Sequence, residues 1–86
     1  MIVHIPSPLL SYTGQVTPVE AEGATLRALL ADLERRYPGF RFRVLDEQDR
    51  IREHIRFFRD TTPERDLDAP LGASREVHLI CALSGG

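Results

Sequence analysis

Apolar and polar positions along this chain alternate, shift to a helical period, and then alternate again. Met1 to Ile5 is rich in branched apolar residues, and Pro6-Ser7-Pro8 must end it because proline supplies no N–H to a strand ladder. It reads as a first strand. A polar turn through Tyr12-Thr13-Gly14 leads into Val16 to Ala21, where Val19 and Ala21 alternate with polar neighbours and Pro18 restricts the segment to a sheet edge. This second strand hairpins onto the first. From Thr25 the period changes: Leu26, Leu29, Leu30, Leu33 and Tyr37 fall at i, i+3, i+4, i+7 and i+11, one stripe of an amphipathic helix. Thr25 is the expected N-cap and Pro38-Gly39 the stop. The opposite face carries Arg27, Asp32, Glu34, Arg35 and Arg36, a mixture of charges that reads as solvated surface.

Phe40 to Val44 alternates like a strand, yet it is short and runs into the acidic Asp46-Glu47-Gln48-Asp49, so pattern alone leaves strand and helical turn equally open. Ile51 to Arg59 reads as a strand with Ile55 and Phe57 on one face and His54, Arg56 and Phe58 on the other, ended by Thr61-Thr62-Pro63. Leu67 to Gly72 reads as a tight turn with two apolar anchors. Glu76 to Cys81 is the last strand, with Val77, Leu79 and Cys81 inward. A helix joining an N-terminal hairpin to later strands must cross one sheet face, and right-handed crossover makes the first and last strands parallel neighbours. The expected fold is therefore α+β, a ubiquitin-like β-grasp: a mixed sheet of four to five strands with one main helix packed on one face. Residues 1–82 form the domain and residues 83–86 a flexible tail ending in Gly-Gly.

Composition narrows the function. Eighty-six residues hold one small domain, too thin to enclose a large cofactor, which excludes a multidomain enzyme. A net charge of −2 and a pI near 5.9 argue against a protein built to neutralise nucleic-acid phosphates or an anionic membrane surface. No run of 18 apolar residues and no signal-peptide pattern is present, so a cytoplasmic protein is expected. The single cysteine, Cys81, excludes an intramolecular disulfide; its inward register makes it an inert packing residue. All 11 basic side chains are arginine, so the chain has no lysine amine.

Phosphate loops, nucleophile elbows, His-Glu-x-x-His and paired-cysteine spacings are all missing from the sequence, which argues against an autonomous enzyme. His4 and His78 fall outward on strands expected to be adjacent, and so approach each other across the sheet. Two histidines without a third ligand make a poor metal site, and the pair reads as solvated with no metal expected. His54 has no evident partner. What remains is the C-terminus: Gly85-Gly86 has no Cβ atoms and can pass through a channel too narrow for side chains. A terminal carboxylate, with a reference pKa of about 3.3–3.7, is ionised and a poor electrophile at neutral pH. ATP-dependent adenylation by a partner would activate it.

The chain resembles the MoaD/ThiS-type ubiquitin-like sulfur carriers, which include the small subunit of molybdopterin synthase and the carrier of a protein-bound route to cysteine. The resemblance lies in Val3-His4-Ile5-Pro6 with Thr13-Gly14, in Gly23-Ala24-Thr25-Leu26, in Asp32-Leu33 and Tyr37, in Pro70-Leu71, and most specifically in Val77 to Gly86. It implies that an E1-like adenylyltransferase adenylates Gly86 and that sulfur from a sulfurtransferase or other donor converts it to a thiocarboxylate. That group then donates sulfur inside a sulfur-accepting synthase. Gly85 is then the clearance residue, ATP is used by the activating partner, and the carrier holds no cofactor of its own. The resemblance also implies docking on the open sheet face beside the tail, through Phe58, His78, Ile80 and Leu83. Length and the Val-x-Ile-Pro opening resemble most the cysteine-biosynthesis carrier. The chain departs from the family at Arg59-Asp60, where an asparagine and a glycine are usual, at Ala73-Ser74-Arg75, and at Cys81, often a proline. Two alternatives to the carrier are a ubiquitin-like modifier conjugated to target lysines and a β-grasp interaction module that is never activated.

Overall fold

The structure, a computed structural model, describes residues 1–82. Five strands form one mixed sheet: β1 (Ile2–His4), β2 (Val19–Glu20), β3 (Ile55–Arg59), β4 (Thr62–Glu64) and β5 (Glu76–Cys81), in the order β2-β1-β5-β3-β4. β1 and β5 run parallel, pairing Val3 with Val77 and His4 with His78, and every other neighbouring pair is antiparallel. This is the β-grasp arrangement anticipated from the pattern. Pro18 lies beside β2, an outermost strand. Where Pro6 ends the β1 ladder, the Ile5 N–H donates to Thr17 Oγ1 at 2.8 Å and so stays satisfied.

Helix α1 (Leu26–Arg36) buries Leu26, Leu29, Leu30 and Leu33 against inward residues of the sheet, among them Val3, Ile55, Phe57, Val77 and Leu79. Thr25 caps it, its hydroxyl accepting the Ala28 N–H at 3.1 Å. The Leu67–Gly72 turn crosses the start of this helix: Leu67 and Leu71 are buried, and the Leu71 N–H donates to the Ala24 carbonyl at 2.8 Å. On the charged face of α1, two carboxylates hold neighbouring backbone. Asp32 accepts the Glu22 N–H at 2.8 Å together with the Arg35 and Arg36 guanidinium groups, and Glu34 accepts the N–H groups of Gly39 and Arg41 at 2.9 Å each. That face is more than solvated surface.

Three segments depart from the pattern reading, and a fourth, Phe40–Val44, resolves what the pattern left open. The segment ending in Tyr12-Thr13 is a 3₁₀ helix over Ser7–Thr13, and Gly14 closes it in the left-handed region. Phe40–Val44 is a helix, α2, because Phe40 and Val44 are the buried pair, spaced four apart, while Phe42 faces solvent. β3 begins at Ile55 rather than Ile51. A turn closed by the Ile55 N–H to the Arg52 carbonyl precedes it, and His54 is exposed on that turn. Thr61-Thr62-Pro63 does not end the sheet: the chain turns at Asp60 and returns as β4, where Pro63 is tolerated on the outermost strand.

Asp60 adopts the left-handed conformation that glycine favours, with φ 52°, while its carboxylate accepts the Arg75 and Glu76 N–H groups at 3.1 Å each. Arg59 falls on the inward face at the sheet margin. Its Nε lies 2.9 Å from Glu64 Oε1, an ion-pair contact in which that N–H is not directed along a well-formed hydrogen bond. Among the described residues, no helix is long and apolar enough to cross a membrane.

Candidate functional site: the open sheet face and the exit of β5

Strand alternation sends Val77 and Leu79 to the core, so Glu76, His78 and Ile80 must face the opposite side, which no helix covers. β1 contributes Ile2 and His4 to this open face, and β3 contributes Arg56 and Phe58. Register then assembles a row across the sheet: His4 opposite His78, His78 opposite Phe58, and Phe58 opposite Pro63. Ile80 stands opposite Arg56 and is 44% exposed, whereas Phe58 and His78 are half-buried. Arg56 turns its guanidinium back onto the Glu53 and Ile55 carbonyls, at 2.6 and 3.0 Å. Phe58, His78 and Ile80 are therefore brought together as one apolar-to-aromatic surface.

The other end of the face is polar. The His4 and His78 rings stack with centroids 4.1 Å apart and planes within 2°, and His4 Nε2 donates to Glu76 Oε1 at 2.8 Å. A third metal-ligating side chain therefore stands beside the two histidines, contrary to the expectation of a lone pair. Glu76 lies two residues before His78 on the same face of β5, so strand periodicity held the signal.

β5 leads out of this face. Its ladder reaches Ala82, whose N–H donates to the His54 carbonyl at 2.7 Å. Cys81 points inward but is only half-buried, and burial pushes its thiol above the ordinary value. Leu83, Gly85 and Gly86 lie outside the described residues.

A helix grasped by a five-stranded mixed sheet with parallel central strands defines the class: a ubiquitin-like β-grasp protein. The chain belongs to the ThiS family, which it matches over residues 3–86. Among solved structures it is similar to Mycobacterium tuberculosis CysO, described as an antigen, at 26% identity and TM-score 0.87 over 95% of this chain and 98% of that one. It is also similar to a chain of the Amycolatopsis orientalis BexX/CysO complex, at 28% identity and TM-score 0.86 over 99% and 98% of the two chains. SAMP1 from Haloferax volcanii matches at 25% identity and TM-score 0.77 over 100% and 98%. No curated protein matches significantly. The protein is a ubiquitin-like sulfur carrier of the MoaD/ThiS type, and such carriers are small protein co-substrates rather than catalysts.

Proposed function

We propose that sulfur travels on Gly86 as a thiocarboxylate. An E1-like adenylyltransferase joins the Gly86 carboxylate to AMP from ATP and releases pyrophosphate. A sulfur nucleophile then displaces AMP, a synthase transfers the sulfur to its acceptor, and water cleaves the C–S bond to regenerate the carboxylate. The observation that carries this reading is the family match running through Gly86, on a fold whose last strand feeds directly into Leu83-Ser84-Gly85-Gly86. Residues 83–86 act as the tail that enters the partner's active site, with Gly85 leaving room for the reacting carbonyl. Phe58, His78 and Ile80, with Leu83 at the tail's root, serve as the docking surface. The carrier needs no cofactor of its own and works in the cytoplasm. Similarity to two CysO structures favours a cysteine-type acceptor over a molybdopterin-type one, and the existence of the BexX/CysO complex supports a partner-bound working state.

A second reading, conjugation to lysines of other proteins, is favoured by the similarity to SAMP1. The absence of lysine suits both readings, since an activated terminus then cannot form isopeptide bonds with its own chain. Intact mass after incubation with ATP, a sulfur source and host extract separates them. Exchange of sulfur for oxygen at Gly86 is the expected result, and attachment to lysines of other proteins would replace it with the modifier. An unchanged mass, beside a known carrier activated in parallel, would overturn both.

A further inference from the structure

We propose that His4, Glu76 and His78 form a binding site for a zinc-type divalent ion on the open sheet face. The inference does not rest on the chemistry of the tail, to which none of these side chains belongs, although His78 is shared with the proposed docking surface. One ligand atom from each of the three residues lies within 4.8 Å of the others. They stand on the two central parallel strands, where backbone pairing fixes their spacing more firmly than a loop would.

Two imidazoles and one carboxylate are the donor set of open zinc sites, in which three protein ligands leave a fourth position for water. Zinc bonds of about 2.0–2.1 Å at tetrahedral angles put donors about 3.3 Å apart. Donor spacings that all lie within 4.8 Å must therefore close by no more than about 1.5 Å. The His4 and Glu76 side chains are 34% and 42% exposed, which leaves them room to turn. The stacked rings need only fan so that their lone pairs converge. Among the described residues no arginine bonds the Glu76 carboxylate; its partner is His4. On binding, the proton on His4 Nε2 moves to Nδ1 by a change of tautomer, and the ion takes its place between Nε2 and Glu76 Oε1.

Titration of the untagged full chain with zinc chloride, followed by calorimetry and thermal melting, tests the site. One ion should bind per chain and raise the melting temperature, because the ligands converge only in the folded state. His4→Ala and His78→Ala should each weaken binding at least about 10-fold, since losing even a supporting outer-shell partner costs that much. His54→Ala, away from the cluster, should bind zinc like the unaltered protein. Absence of binding, or binding that survives both substitutions at the cluster, would overturn the proposal. Should those variants fail to fold, histidine ring NMR signals of the unaltered protein decide. Zinc-induced shifts at His4 and His78 but not His54 support the site, and any other pattern overturns it.

Discussion

Replacing Gly23 by alanine probes how closely the chain entering α1 lies against that helix. A Cβ added at Gly23 would sit 2.4 Å from the Leu29 nitrogen, 2.7 Å from its Cα and 2.8 Å from the Ala28 carbonyl carbon. Comfortable carbon contacts begin near 3.5 Å, so backbone must move by about 0.7–1 Å. The atoms in the way belong to the first turns of a helix whose leucine stripe is locked in the core. Overpacking of this kind costs about 1–3 kcal/mol, against a gain of about 0.4–1 kcal/mol from a less flexible unfolded chain. Gly23 is not among the positive-φ glycines, so the objection is space rather than backbone conformation. A net loss of about 1.3 kcal/mol should lower the melting temperature by about 5–10 °C in a domain of this size. Gly72→Ala is the control: φ is +54° and nothing lies within 4 Å, so only conformational strain, about 1 kcal/mol, is at stake. Urea melts should show a lower midpoint with unchanged slope for both variants, with Gly23→Ala the worse. A Gly23→Ala midpoint equal to or above that of the unaltered protein would refute the close approach.

Asp32 is held at about 2 by the Glu22 N–H and the Arg35 and Arg36 guanidinium groups, below its ordinary 3.8. A depressed carboxylate stabilises the fold above its unfolded value, and that contribution disappears as pH falls toward 2. Asp32→Asn should therefore be less stable at neutral pH and show a flatter acid-stability curve between 3.8 and 2; curves of the same shape would exclude the role. Cys81, raised by burial, should react with a thiol reagent at neutral pH much more slowly in the native protein than in urea. Phe58→Ala should leave the urea midpoint nearly unchanged yet weaken binding to the proposed E1-like activator about 10-fold or more, as truncating a central aromatic does. Equal affinities by calorimetry would remove Phe58 from the docking surface.

Much of this molecule was legible as pattern. The five-residue stripe from Leu26 to Tyr37, the Thr25 cap, the inward set Val77 and Leu79, and the parallel pairing of first and last strands follow from side-chain period and crossover handedness, which are local or near-local rules. The same alternation put Phe58, His78 and Ile80 on one face. Short segments were different. Phe40–Val44 offers too few residues to separate a period of two from one of four, and Glu34 on the neighbouring helix, by accepting the Gly39 and Arg41 N–H groups, fixes it as helix. β4 carries a proline and no apolar alternation, so its pairing with β3 depends on Asp60 taking a left-handed turn that sequence assigns to glycine. The His4–Glu76–His78 cluster joins residues more than 70 positions apart, whose meeting is set by the register of two strands. Period tells each side chain which face it occupies; only the packed sheet tells it which neighbours it meets there, because register is settled by the whole core at once.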